Sequence, residues 1–149
     1  LELFEVLNAE FSFVLDAAAL PHNALLPNYI TPERDALACD WHELAAGGPV
    51  WLNPPYGRGV GDWVRKSYRE SLKGSTVVVL TFVRTDTAWW HNWATKAAEV
   101  RLIKGRLYFR SGDDSLSGAA PAPSCLLVFS ERLRQPQFKT VRLPRGAGK

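Results

Sequence analysis

Residues 50–83 read VWLNPPYGRGVGDWVRKSYRESLKGSTVVVLTFV, and they carry the clearest secondary-structure pattern of the chain. Residues 49–52 predict a strand that stops at Pro54-Pro55, because proline has no N–H to donate to a sheet. Asp62 is a candidate N-cap for a helix that continues to about residue 72. Residues 75–83 form a continuous apolar run, which is typical of a strand buried on both faces. Strand, helix and strand in this order predict an α/β fold.

The rest of the chain continues this alternation. Residues 3–11 predict a helix and residues 12–15 the first strand, followed by a helix over 87–98 and strands over 99–103, 106–109 and 125–129. Residues 110–123 predict a loop rich in Gly, Ser, Asp and Pro. We therefore predict an α/β fold whose mixed, mostly parallel sheet is flanked by helices. We expect one domain over residues 1–131 and a basic tail over 132–149, with a candidate edge strand at 138–143.

Composition excludes several classes of protein. Of 149 residues, 46% are hydrophobic and 22% charged, which is typical of a globular domain and not of disordered or collagen-like chains. Every apolar run is far shorter than the roughly 20 residues that span a bilayer, so no membrane partner is expected. The two cysteines form no C-x-x-C pair and the three histidines show no zinc spacing. These patterns predict no metal and a cytoplasmic location.

The net charge of +3 is unevenly distributed. After Glu131 no acidic residue occurs, and the cations there are Arg132, Arg134, Lys139, Arg142, Arg145 and Lys149. Such a tail can bind along the phosphate backbone of a nucleic acid. The alternative is a chain end that is only solvated.

The residues that indicate chemistry are Asn53, Pro54, Pro55 and Tyr56, which follow a strand directly. Ligands of open α/β sheets bind at the carboxyl ends of strands. The tetrapeptide resembles the catalytic motif of amino-group methyltransferases that use S-adenosylmethionine. In that chemistry, the Asn53 side-chain oxygen and the Pro54 carbonyl accept the two hydrogens of the amine, and Tyr56 stacks on a flipped base. The alternative is a surface turn after an edge strand.

A wider set of segments resembles the phage DNA N-6-adenine methyltransferase family. The matching segments run in the family's order, at residues 3–4, 13–19, 28–31, 35–37, 40–41, 50–57, 63–66, 84–87, 89–91, 103–109 and 122–124. The resemblance implies a Rossmann-like methyltransferase fold, S-adenosylmethionine as cofactor and adenine in DNA as substrate. It also implies a bacterial host cytoplasm for a phage-encoded enzyme.

The resemblance assigns cofactor-binding residues as well, and Asn53 is one of them. Asp16, Ala17 and Ala18 follow the first strand, where methyltransferases hold the methionine part of the cofactor. Asp40 and Trp41 lie where the cofactor's adenine is usually contacted, and Asp35 is a candidate for the ribose hydroxyls or a turn cap. The first loop departs from the common pattern, because residues 15–20 contain no glycine.

DNA-contacting residues are predicted at other loops. Arg58 lies in the glycine-rich turn after the motif, and Arg84 follows the long apolar strand. Lys104 and Arg106 flank Gly105 and can receive a phosphate, or else belong to a hairpin turn. Ser124 opens the last predicted central strand. Trp89, Trp90 and Trp93 are expected mainly in the core.

These observations predict a DNA methyltransferase that transfers a methyl group directly to the N6 amine of a flipped adenine. The first alternative is an N-methyltransferase acting on RNA or on a protein glutamine. The second is a catalytically inactive nucleic-acid-binding relative. The recognised DNA sequence and the oligomeric state are not encoded in any motif we identify.

Overall fold

The computed structural model describes residues 2–110, 116–132 and 137–141. The α-helices are α1 (Glu2–Phe11), α2 (Trp41–Leu44), α3 (Val60–Ser71) and α4 (Ala88–Asn92). The strands are β1 (Leu15–Asp16), β2 (Val50–Leu52), β3 (Val77–Phe82), β4 (Glu99–Ile103), β5 (Tyr108–Arg110), β6 (Leu116–Ala119), β7 (Ser124–Phe129) and β8 (Gln137–Val141). Short 3₁₀ helices lie at Pro32–Arg34, Ala36–Ala38 and Ala94–Lys96.

Six strands form one sheet in the order β1-β2-β3-β7-β4-β8. Strands β1, β2 and β3 pair in parallel, and so do β4 and β8. Strand β7 runs antiparallel to both β3 and β4 through the middle of the sheet. The α/β prediction is therefore confirmed, but the expectation of a mostly parallel sheet was wrong, because the sheet is mixed.

The physical reason for the mixed sheet lies between β4 and β7. The chain leaves β4, pairs β5 antiparallel with β6, and returns into the sheet, and the described residues of this stretch contain no crossover helix. Parallel neighbours require such a crossover, whereas a hairpin-like return delivers a strand in the opposite direction. Strand β6 lies where the sequence predicted only a loop, and residues 111–115 of that loop lie outside the described residues.

Hydrophobic side chains alternate between the two faces of the sheet. Val77 and Val79 face a core shared with α2, α3 and α4. Val78 and Leu80 face a second core that α1 covers. Because both faces are buried, the central strands read as continuous apolar runs in the sequence.

Several predicted boundaries differ from the observed ones. Helix α3 begins at Val60 with Gly59 as its N-cap, so Asp62 lies in the first turn, where its charge suits the helix dipole. Helix α4 ends at Asn92, after which the chain turns through a 3₁₀ helix. Strand β1 is only Leu15–Asp16, so it begins three residues later and ends one residue later than the predicted strand over 12–15.

An ion cluster with a buried centre, formed by Glu99 and Arg101, joins α1 to the far side of the sheet. Arg101 on β4 donates to Glu10 of α1 at 2.6 and 2.7 Å and to Glu99 at 2.8 Å. Lys139 on β8 also donates to Glu99, at 2.6 Å. The cluster therefore holds α1, β4 and the edge strand β8 together.

Helices α3 and α4 approach closely at Gly61. A β-carbon at Gly61 would lie 2.8 Å from Cβ of Trp89, so only glycine allows this approach. The contact fixes the spacing between the α3 N-terminus and α4, which together border the site described next. None of the described helices is both long enough and apolar enough to cross a bilayer.

Candidate active site

The carboxyl ends of three neighbouring parallel strands meet at one edge of the sheet. Asp16 ends β1, Asn53 follows β2, and Arg84 comes two residues after β3. The antiparallel strand β7 begins at this same edge, where Ser124 pairs with Phe82. The topology therefore brings together side chains that are far apart in the sequence.

The Asn53–Tyr56 turn is held by its own hydrogen bonds. Pro54 is buried, and the Tyr56 hydroxyl donates to Asn53 Oδ1 at 3.0 Å and approaches the Leu80 carbonyl at 3.3 Å. The Tyr56 ring stacks on Phe82 with centroids 4.4 Å apart and an interplanar angle of 22°. These contacts anchor the tetrapeptide to β3 and orient the Asn53 amide.

The Tyr56 hydroxyl lies in a poorly solvated position. Burial raises the pKa of this phenol well above its usual range, and the nearby Cys125 adds to the effect. Burial also raises the pKa of the Cys125 thiol, to about 12. Both groups are therefore protonated at neutral pH, and Tyr56 serves as a hydrogen-bond donor and not as a base.

An open cleft of about 530 Å³ lies beside this turn. Strand β3 and the beginnings of α3 and α4 form its walls. Its lining residues are Tyr56, Gly57, Arg58, Val60, Thr81, Phe82, Arg84, Thr87 and Trp89. Aromatic rings, two arginines and two threonines thus converge on a space of the size of a small-molecule site.

The sequence did not assign every lining residue to the site. Thr81 reads as part of an apolar strand, although it is the only hydroxyl within β3. Trp89 was expected mainly in the core; it packs partly against the core and also lines the cleft. A hydroxyl inside an apolar run was the available signal for Thr81.

On the β1 side, Asp16 is almost fully buried. Its Oδ2 accepts from the Leu25 N–H at 3.1 Å, while its Oδ1 has no hydrogen-bond partner among the described residues. Burial raises the pKa of this carboxyl, and the backbone N–H groups of Leu25 and Ala18 oppose the rise. Ala17 is buried and Ala18 half-buried beside it.

The other three predicted cofactor residues have different surroundings. Asp40 caps α2 by accepting from the Glu43 N–H at 2.9 Å, which is the main cause that lowers its pKa, and it lies 3.2 Å from Lys73 Nζ. Trp41 is fully buried and donates to the Ala36 carbonyl, so its ring has no face free for a ligand. Asp35 is exposed in a left-handed turn at φ 51°.

The remaining predicted DNA contacts lie at the same edge of the sheet but outside the cleft lining. Lys104 and Arg106 are exposed in the turn after β4, around Gly105 with its φ of 92°. Ser124 is buried, and its Oγ has no hydrogen-bond partner among the described residues. Arg58 and Arg84, in contrast, both line the cleft beside Tyr56. No group of three metal-ligating side chains occurs in the described part of the chain.

Comparison with known proteins agrees with this arrangement. Residues 1–145 match the model of the family described as DNA N-6-adenine-methyltransferase (Dam). The chain is 35% identical over 91 residues to the DNA N-6-adenine-methyltransferase of Haemophilus phage HP1 (strain HP1c1), covering 61% of this chain and 50% of that protein. It is 30% identical over 106 residues to that of Escherichia phage T1, covering 66% of this chain and 43% of that protein.

The chain thus spans half or less of the length of these two phage relatives. The family match, however, runs through nearly the whole chain, including the Asn53–Tyr56 turn, the cleft and the strands that carry them. This chain belongs to the DNA N-6-adenine-methyltransferase (Dam) family.

Proposed function

We propose that the chain is an S-adenosylmethionine-dependent DNA methyltransferase that modifies the N6 amine of adenine. The observation that carries this proposal is the Asn53–Tyr56 turn at the carboxyl end of β2, beside an open cleft lined by aromatic and cationic side chains. The two phage relatives carry the corresponding name. We also infer a Rossmann-like methyltransferase domain over residues 1–131 and a DNA-contacting tail over 132–149.

The β1 end has the chemistry to hold the methionine part of the cofactor. A buried carboxylate oxygen without a partner is costly, and a cationic ammonium group would satisfy Asp16 Oδ1. The small side chains of Ala17 and Ala18 follow it directly in the sequence. S-adenosylmethionine supplies an electrophilic methyl group when bound. Asp35 and Asp40 remain proposed contacts to its polar groups, whereas the buried Trp41 offers no stacking surface.

The turn after β2 has the chemistry to hold the amine. An amide oxygen has two lone pairs, so Asn53 Oδ1 can accept from the Tyr56 hydroxyl and from a base amine at once. The Pro54 carbonyl would accept the second amine hydrogen. Each neutral hydrogen bond contributes only about 1 kcal/mol, so most of the advantage comes from orienting the nitrogen for in-line attack, with no covalent enzyme intermediate.

DNA contact is proposed around the cleft. Arg58 and Arg84 line it and can bind the phosphates that flank an extruded base, while Lys104 and Arg106 extend the cationic surface along the same edge. Ser124 begins β7 at that edge and stays a candidate contact. Because the relatives are phage proteins, we expect the reaction in the cytoplasm of the bacterial host.

The test is a methylation assay with labelled S-adenosylmethionine on DNA of random sequence. Wild type should label the DNA on adenine N6, whereas N53A should lose at least a hundredfold in rate. Asn92→Ala, at the exposed end of α4, is a matched control expected to keep wild-type activity. Circular dichroism should show that both variants are folded.

The substrates of the rival functions belong in the same assay. Preferred labelling of RNA, or of the glutamine of a protein substrate, would replace DNA as the substrate. An absence of cofactor binding in calorimetry would favour a catalytically inactive nucleic-acid-binding relative.

A further inference from the structure

Thr81 holds a buried hydroxyl that the fold does not use. It lies in β3 between Leu80 and Phe82, its side chain is 1% exposed, and its Oγ1 has no hydrogen-bond partner among the described residues. Leaving a buried hydroxyl without a hydrogen-bond partner is energetically unfavourable. Valine has nearly the same shape without that cost, and three valines occupy earlier positions of the same strand. Folding therefore does not account for threonine here.

The surroundings of Thr81 indicate a ligand. Thr81 lines the cleft together with the aromatic rings of Tyr56 and Trp89 and the cations Arg58 and Arg84. Rings suit a planar base, and guanidinium groups suit phosphate. Thr81 pairs with Cys125 inside the sheet, so its backbone position is fixed. The hydroxyl therefore stays beside the cleft and cannot reach a partner elsewhere.

We propose that Thr81 is a specificity-determining residue, whose hydroxyl donates a hydrogen bond to a ring nitrogen of the adenine held in the cleft. This inference rests on the proposed function, because it deepens the description of the same site. A hydroxyl can also accept, but the adenine amine is already assigned to Asn53 and Pro54. The ring nitrogens N1, N3 and N7 are the acceptors that remain on the base.

Binding of deoxyadenosine monophosphate tests this proposal without any turnover. The nucleotide is titrated into the 149-residue chain, and the tryptophan indole N–H signals are followed by NMR, since Trp89 lines the cleft. The 1-deaza, 3-deaza and 7-deaza analogues each lack one ring acceptor. Wild type should bind one analogue about tenfold more weakly than the parent nucleotide, as expected for the loss of one well-placed hydrogen bond (about 1.4 kcal/mol).

Two variants of Thr81 separate recognition from folding. T81S keeps the hydroxyl and should retain the tenfold discrimination. T81V should bind the parent nucleotide as weakly as wild type binds that analogue, and it should bind the parent and that analogue equally. The free energy of unfolding of T81V should equal or exceed that of wild type. Thr76→Val, just before the opposite end of β3, is the matched control and should behave as wild type.

The possible outcomes separate this inference from the proposed function. If wild type methylates DNA but T81V discriminates among the analogues as wild type does, the role of Thr81 is wrong and the function stands. If wild type binds the nucleotide with the predicted Thr81 signature but methylates nothing, the site is right and the activity is wrong. Absence of nucleotide binding by wild type, or equal binding of all analogues, would overturn the Thr81 proposal.

Discussion

At the scale of single residues, Asp16 carries the clearest conflict between burial and charge. Its carboxyl is 3% exposed, and burial raises its pKa. A carboxyl whose folded pKa is raised costs stability once the pH exceeds its unfolded pKa, and this cost disappears as the pH falls and the group is protonated. The fold therefore carries a penalty at neutral pH that a cationic ligand would offset.

D16N tests this interpretation. The amide keeps an acceptor for the Leu25 N–H and removes the charge, so the free energy of unfolding at pH 7 should stay within about 1 kcal/mol of wild type. The affinity for S-adenosylmethionine should fall at least tenfold in calorimetry, because the charge partner of the ammonium is removed. Glu5→Gln, at an exposed position of α1, is the control. Wild-type cofactor affinity in D16N would remove Asp16 from the site.

How much of the site could be predicted differs from residue to residue. The position of Asn53 and Tyr56 was predictable because a motif directly after a strand lies at the carboxyl end of that strand. The predicted Arg58 and Arg84 line the cleft together with Tyr56. For Asp40, the sequence does not distinguish the predicted cofactor contact from a helix cap, and the structure shows the cap. Thr81 was missed because threonine has nearly the shape of valine, and three valines precede it in the same strand, so it reads as one more core residue.

At the scale of elements, the contact between α3 and α4 allows a matched pair of variants. G61A places a β-carbon 2.8 Å from Trp89 Cβ and should lower the free energy of unfolding by about 1–3 kcal/mol. Gly59→Ala meets no atom within 4 Å and should change it by less than about 1 kcal/mol. Urea denaturation measures both, and an equal effect of the two substitutions would contradict the packing described here.

The ion cluster of α1, β4 and β8 should make stability depend on pH. The hydrogen bond from Arg101 holds the pKa of Glu10 low. Burial alone would raise the pKa of Glu99, but the hydrogen bonds from Lys139 and Arg101 together outweigh it and lower that pKa as well. Since both folded pKa values lie below the unfolded ones, this stabilisation is complete above about pH 5 and is lost as the pH falls through the folded values.

R101M should therefore destabilise the protein by about 2 kcal/mol at pH 7, and the difference from wild type should shrink on going toward about pH 3. The measurement is urea denaturation across this pH range. Arg65→Met, on the exposed side of α3, should show no such convergence. A destabilisation by R101M that is constant with pH would show that the cluster acts by packing and not by charge.

The elements themselves were predictable where hydrophobic patterns are long. Helix α1 and strands β3, β4 and β7 occur close to their predicted bounds. Strand β6 was missed because Gly, Ser and Ala carry little strand signal, and its pairing with β5 is a tertiary effect. The direction of β7 could not be predicted, because a run of apolar residues does not show whether a strand is parallel or antiparallel to its neighbours. The β5–β6 hairpin, which returns the chain to the sheet, was not recognised in the sequence.

At the scale of the whole molecule, the cations of the tail should act on DNA of any sequence. Replacing Arg142, Arg145 and Lys149 by glutamine should weaken DNA binding uniformly. The slope of the logarithm of the DNA-binding constant against the logarithm of the salt concentration should become less steep, by up to about 0.9 for each phosphate that the tail no longer neutralises. Fluorescence anisotropy on two unrelated duplexes measures both effects. Weaker binding to only one of the duplexes would assign these cations to sequence recognition.

The place of β7 in the sheet has a consequence for synthesis on the ribosome. Strand β7 lies between β3 and β4, so those two apolar strands share no hydrogen bonds until residues 124–129 have been made. A nascent chain that ends earlier exposes two open edges of the kind that promotes association between copies. The centre of the sheet therefore closes only when β7 emerges, after which β8 alone remains to be added at the edge. Stalled or truncated products should be candidates for chaperone capture and proteolysis.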